Sequence, residues 1–300
     1  MIKHNAILAA LLALCLPAPA LALAETLAPV ATAEPARPAL WRLSDADTTI
    51  YLFGTIHALP KGVEWLHGPV AEAFDGSAEL VTEIVETAPE AMQAVVISRA
   101  LLPQKQALRG LLSRSDRAVY ETTMTANRLP VGAFDRFEPW YAAIALATLP
   151  LLRDGYAMEN GVEALLDTRA KAAGRSHTAL ETVDYQLSLF DGLPLDAQKR
   201  YLRQVLDSMP DLRTDLDAMV AEWKRGNADK LAEMVNEQED DPALMQALLY
   251  NRNRIWADWI KARMDKPGTV FIAVGAGHLA GRGSVQENLE RLGFKTTRSQ

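Results

Sequence analysis

Two short apolar runs, rich in β-branched and aromatic residues, stand near opposite ends of the chain, and each is closed by glycine. Thr49-Ile50-Tyr51-Leu52-Phe53 leads into Gly54-Thr55-Ile56-His57, and Thr269-Val270-Phe271-Ile272-Ala273-Val274 leads into Gly275-Ala276-Gly277-His278. Runs of this length and composition read as buried strands. The first, at 48–54, is preceded by Leu40-Trp41-Arg42-Leu43 across a turn containing Asp45 and Asp47, which predicts a hairpin. Residues 78–85 and 176–180 read as two further strands, and 294–297 as a last edge strand. From Pro89 to about Arg263 apolar residues recur instead at three- and four-residue spacing. That period predicts helices at 116–127, 139–149, 161–173, 183–190, 195–206, 211–225, 228–236 and 242–264. Shorter helices are expected at 68–74, with Pro69 in its first turn, and at 283–291. The fold class is therefore α/β (or α+β): a mixed sheet built from N- and C-terminal strands, with a largely helical middle section and one core from residue 40 to residue 300.

The first 24 residues do not fit that core. A short polar start carrying Lys3 precedes an apolar stretch from Ala6 to Leu16, and Ala22-Leu23-Ala24 has the small residues of a cleavage signal. This pattern predicts a secretory signal peptide cut before Glu25, hence a periplasmic or secreted protein. An uncleaved anchor is the alternative, but the apolar run is short and is broken by Pro17 and Pro19. A lipoprotein signal at Cys15 would have a small residue where Leu14 stands. Residues 25–39, rich in Ala and Pro without periodicity, read as a flexible spacer.

Apolar content of 49% and charged content of 23% are ordinary globular values. The net charge of −7 becomes −8 once Lys3 leaves with the signal, and the basic residues are dispersed, so nucleic acid is not an expected partner. Loose membrane association stays open, and no pattern along the chain bears on oligomeric state. The single cysteine, Cys15, also leaves with the signal. Any metal site must then be built from histidine and carboxylate.

The two G-x-x-H tetrads are the first candidates for chemistry. A glycine at a strand end lets the backbone turn, and a histidine just beyond it projects from the carboxyl edge of a sheet, where open α/β folds bind ligands. One such histidine is commonly a structural residue. Two in matched contexts point to His57 and His278 sharing a site, as metal ligands or as a general base. Glu83, set in an apolar strand, is either an edge-strand carboxylate facing water or a third ligand. Glu181 either starts a helix or supplies a second carboxylate, as ligand or water-activating base. Asn251-Arg252-Asn253-Arg254 interrupts an apolar helical pattern and reads as a solvated face. Alternatively Arg252 and Asn253 orient carboxylates or stabilise an oxyanion. His67 and His177 have no comparable context, and Trp140, Trp223, Trp256 and Trp259 read as core.

Five blocks together resemble the TraB/GumN family, which includes the Tiki metalloproteases. They are Leu40–Leu43 with 49–57; 71–83; Gly161-Val162-Glu163-Ala164-Leu165-Leu166 through Leu180-Glu181-Thr182 and Gln186; Arg252-Asn253; and 274–281. The resemblance implies a compact α/β fold and, in Tiki-like members, metal-dependent peptide cleavage. It implies His57, Glu83 and His278 as ligands of a divalent ion (Mn, Co or Zn), with Glu181, Arg252 and Asn253 also at motif positions. Two departures stand out: Asn251 and Val85 occupy positions that are often acidic in the family. The expectation is a metal-dependent hydrolase acting on a peptide or protein substrate. The alternatives are a metal-, haem- or peptide-binding module without turnover, and an accessory factor in export or polysaccharide assembly.

Overall fold

The structure is a computed structural model that describes residues 35–85, 88–236 and 241–300. The expected signal peptide and most of the spacer lie outside the described residues. The spacer's last residues, 36–39, are packed onto the domain: Ala36 is buried, its N–H donates to Glu64 O, and that of Arg37 donates to Lys224 O.

The described residues form a six-stranded mixed sheet. Its strands are β1 (Leu40–Ser44), β2 (Thr48–Thr55), β4 (Glu79–Thr82), β6 (Ser176–Ala179), β7 (Gly268–Gly275) and β8 (Thr297–Arg298), after the chain order in which β3 (Leu59–Pro60) and β5 (Tyr156–Ala157) make a separate small ribbon. The order across the sheet is β6-β4-β7-β2-β1-β8. The β6-β4, β4-β7 and β7-β2 pairs are parallel, whereas the β2-β1 and β1-β8 pairs are antiparallel. The N-terminal hairpin is thus joined directly to the C-terminal strand, as the apolar pattern predicts.

Alternation along the central strands explains the layers on both faces. Val270, Ile272 and Val274 of β7 pack with Ile50, Leu52 and Val81 against the helices Asn251–Met264 and Val285–Arg291. Phe271 and Ala273 face the other way, with Phe53, Leu80 and Phe74, into the core of the helical middle section. Trp140 and Trp223 are buried there, and the Trp223 indole donates to Gly54 O at 2.8 Å. No helix among the described residues is long and apolar enough to cross a membrane.

Three expectations shift. The strand expected over 78–85 stops at Thr82, so Glu83 is not inside a strand but in the bend just past its end. The last edge strand is confined to Thr297–Arg298. The run Asn251–Arg254 does not interrupt the helix. Pro242–Met245 continues through one π-helical turn, Gln246–Tyr250, into Asn251–Met264. Such turns are rare and frequent at functional sites. Arg252 and Asn253 lie just after it, fully buried, so the reading of this stretch as a solvated face fails at those two positions.

Candidate active site

Register brings the predicted residues to one edge of the sheet. Thr55 of β2 pairs with Gly275 of β7, Thr82 of β4 with Ala273 of β7, and Thr82 with Ala179 of β6. Four neighbouring parallel strands therefore end together, and His57, His278, Glu83 and Glu181 each follow within a few residues of an end. Backbone bonds extend this edge: Leu180 N–H donates to Thr82 O and Glu181 N–H to Glu83 O at 2.8 Å. This is the carboxyl edge at which open α/β sheets bind ligands.

At its centre is Arg252, fully buried. Its Nη2 donates to Glu83 Oε2 at 2.5 Å and to Glu181 Oε2 at 2.8 Å. Its Nε donates to Glu181 Oε1 at 3.0 Å, and its Nη1 to Leu248 O at 3.1 Å and to His278 Nε2 at 3.2 Å. The guanidinium also lies over the Trp256 ring, 4.7 Å from its centroid. A charge this deep is tolerable only when every donor is matched, and here two carboxylates, a carbonyl and the His278 imidazole do so.

The two carboxylates differ in what they leave free. Glu181 Oε1 also accepts from Trp256 Nε1 at 2.9 Å, and its Oε2 from Gln186 Nε2 at 2.9 Å, so both oxygens are doubly engaged. Glu83 Oε2 accepts from Arg252 and from Gln186 Nε2, whereas among the described residues Oε1 accepts only the Gly275 N–H, at 2.7 Å. Burial alone would raise the Glu83 pKa. The charge of Arg252 first, then those of His278 and His57 and the Gly275 bond, outweigh burial and hold it at about 2.

The histidines are held in opposite states. His278 Nδ1 donates to Asn253 Oδ1 at 2.5 Å, while Asn253 Nδ2 donates to Gly283 O at 2.8 Å. Nε2 of His278 therefore carries the lone pair, and burial, with Arg252 beside it, lowers its pKa to about 3. His57 Nδ1 pairs with Glu163 Oε1 at 2.6 Å, and the Thr55 hydroxyl donates to the same oxygen. Burial lowers the His57 pKa, but the Glu163 charge and hydrogen bond prevail and raise it to about 9. Gly161 makes this pairing possible. A side chain there would overlap the His57 carbonyl, and the Val162 N–H donates to Ile56 O, docking the start of helix Val162–Ala172 on the G-x-x-H turn.

Gly275 marks where these groups converge. A Cβ on it would lie 3.1 Å from Glu83 Oε1, 3.5 Å from His278 Cδ2 and 3.9 Å from His57 Nε2. The six sequence candidates are thus brought together, directly or through Arg252 and Asn253. The pattern missed three residues. Glu163 follows Gly161 at a helix start, where an acid ordinarily offsets the dipole, so it stood in a motif block without being singled out. Gln186 was likewise visible only as part of that block. Trp256 read as core, but its ring lies 4.4 Å from that of His278, centroid to centroid, and its N–H serves Glu181. Its spacing of four from Arg252 and three from Asn253 was the available signal. His67, which bonds Ala36 O, and His177, held by Asp167 and Thr82, lie outside this network.

A family model described as the TraB/PrgY/gumN family matches residues 39–298. This chain belongs to the TraB/PrgY/gumN family. The matched span takes in every residue of the network. Searches of curated proteins and of solved structures found no match.

The residues suit a divalent ion in kind. Nitrogen and oxygen donors bound to one ion stand about 3–4 Å apart, and His278 Nε2 and Glu83 Oε1 are 3.9 Å apart. Each histidine is fixed through Nδ1 by an oxygen acceptor, the arrangement that orients metal-binding imidazoles; to bind an ion, His278 Nε2 would exchange its Arg252 Nη1 partner for the metal and His57 Nε2 would give up its proton. The donors stand back from their common point: among the described residues no three His, Cys, Asp or Glu side chains are close enough to grip an ion as placed.

Proposed function

We propose that this family member is a metal-dependent hydrolase of peptide bonds, with His57, Glu83 and His278 as the ligands. One observation carries the reading: His57 Nε2, Glu83 Oε1 and the His278 ring all face the space above Gly275, and both imidazoles are anchored at the far nitrogen. Peptide as the substrate class comes from the likeness of the G-x-x-H tetrads and Glu83 to those of Tiki-like members. Export to the periplasm or beyond follows if the N-terminal segment is cut before Glu25.

A divalent ion of the Mn, Co or Zn kind would supply polarisation of the scissile carbonyl and a more acidic water. The chain's own groups have separable tasks. Glu163 holds the proton on His57 Nδ1 and keeps Nε2 turned inward. Asn253 does the same for His278 and is tied to the Gly283 backbone, which makes it a positioning residue rather than an oxyanion donor. Arg252 fixes Glu83 through Oε2 and leaves Oε1 for the site. Glu181, with both oxygens engaged, braces Arg252; we assign it that part instead of the base. Substrate would approach from the side of His57 and Glu163, whose side chains are 15% and 25% exposed, against 5% for His278 and none for Arg252.

The test is hydrolysis of a fluorogenic peptide library by chelator-treated protein, with Mn, Co or Zn added back, alongside His57→Ala, Glu83→Gln and His278→Ala. Metal-restored turnover in the parent, lost in all three variants, is expected. Turnover that survives in the variants, or none with any of the three metals, would overturn the proposal.

A further inference from the structure

We propose that the cleft between the π-helical turn and the Gly281–Ser284 loop binds a small oxyanion, a carboxylate or phosphate group, at a site distinct from the one above. The cleft holds about 320 Å³, a size suited to a small molecule. Three arginine side chains line it, those of Arg254, Arg282 and Arg291, and among the described residues no carboxylate does. The chain carries a net charge of −7, so general basicity does not account for three arginines converging on one cleft. Arg254 and Arg291 each have a carboxylate on their own helix, so Arg282 is the charge that an anion in the cleft would neutralise. Arginine's planar fork also matches the two oxygens of a carboxylate or phosphate.

The walls are built to present donors. Arg282 stands between Gly281, with φ at +74°, and Gly283, at +70°, a backbone that other residues rarely adopt. A side chain at Gly283 would overlap the ring of Tyr250, so the turn is pressed onto the end of the π-helical segment. Asn288 Nδ2 fastens the same turn by donating to Gly283 O and Ser284 O. Arg254 and Arg291 have acidic neighbours on their own helices, Asp258 and Glu287. Arg282 has no hydrogen bond or ion pair among the described residues, and neither has the Tyr250 hydroxyl. Asn251 Oδ1 is taken by Gln246 Nε2 at 2.6 Å, which leaves the Asn251 amide N–H groups to face a ligand. Free donors thus outnumber acceptors around the cleft, as an oxyanion requires. Asn253 connects the two sites, since it donates to Gly283 O and accepts from His278.

The experiment is calorimetric titration of the full chain, in chelator at low ionic strength, with inorganic phosphate in one arm and tricarballylate in the other. Because no metal is present, the result stands apart from the hydrolase reading. Saturable binding of at least one anion is expected, weakened tenfold or more by Arg282→Ala and by Arg254→Ala, and weakened by added salt. Arg117→Ala, on a helix elsewhere, should change it less than twofold, and circular dichroism checks that each variant is folded. The stronger arm identifies the source as phosphate or carboxylate. No saturable binding in either arm, or equal binding by Arg282→Ala and the parent, would overturn the proposal.

Discussion

Replacing Arg252 by Met keeps most of the aliphatic bulk beneath Trp256 and removes the charge that neutralises two buried carboxylates. The parent side chain is wholly buried and reaches Glu83 at 2.5 Å and Glu181 at 2.8 Å. Without it, Glu83 keeps the Gly275 N–H and Gln186, and Glu181 keeps Trp256 and Gln186. Those are neutral donors, and two negative charges would then share a nearly dry site. Removing one partner of a buried ion pair costs about 3–5 kcal/mol; loss of a charge serving two carboxylates belongs at the upper end of that range. The cost should also depend on pH in a defined sense. In the parent, Glu83 sits at about 2, below its ordinary value of 4.5, so its stabilisation is complete above pH 4.5 and fades as pH falls through 2. In the variant a carboxyl would bind its proton more tightly folded than unfolded, so the deficit should be largest near pH 7 and shrink towards pH 4. Urea unfolding in chelator, followed by tryptophan fluorescence and circular dichroism at both pH values, measures it. A deficit below about 1 kcal/mol at pH 7, or one that does not change with pH, would refute the assignment of Arg252 as the neutralising centre.

Three other outcomes follow from the same contacts. As pH falls from 6.5 to 5, metal-free protein should lose stability through His278, held near 3 when folded, with a slope that steepens towards about 1 kcal/mol per pH unit; unfolding across that range should show the His278→Gln variant flatter, and equal slopes would contradict it. His57, raised to about 9, acts in the opposite sense, its stabilisation complete below 6.5 and fading as pH rises through 9, so Glu163→Gln should destabilise the metal-free protein at pH 7 far more than at pH 10. Gly275→Ala should fold with a Tm near the parent's yet lose metal affinity at least tenfold by competition with a chromogenic chelator, because its Cβ would stand 3.1 Å from Glu83 Oε1; parent-like affinity would show that the space above Gly275 is not the ligand position.

The sheet was legible because its strands obey simple patterning. β2 and β7 are glycine-closed apolar runs, and their parallel register sets the two tetrads side by side. Glu83 was placed inside its strand because Leu80-Val81 before it and Ile84-Val85 after it, with Thr82, have the aliphatic and β-branched character of a strand. The bend at 83 is set by tertiary contacts with Gly275 and Arg252, which no local pattern carries. Arg252 and Asn253 were harder still. Polar residues in a helix read as solvated unless their partners are known, and those partners lie 71 and 169 residues away for Arg252 and 25 away for Asn253. Glu163 stood in a motif block without a role for a similar reason: only the docking of Gly161 under the His57 turn converts a helix-start acid into a partner of the site.

Metal content decides most directly whether His57 and His278 share one ion. The protein, purified without chelator and equilibrated in turn with Mn, Co and Zn, would be analysed beside His57→Ala and His278→Ala, with folding of each checked by circular dichroism. Close to one ion per chain is expected in the parent for at least one metal, and its loss in both folded variants. Equal occupancy in the parent and either variant, or an empty parent after all three metals, would contradict it.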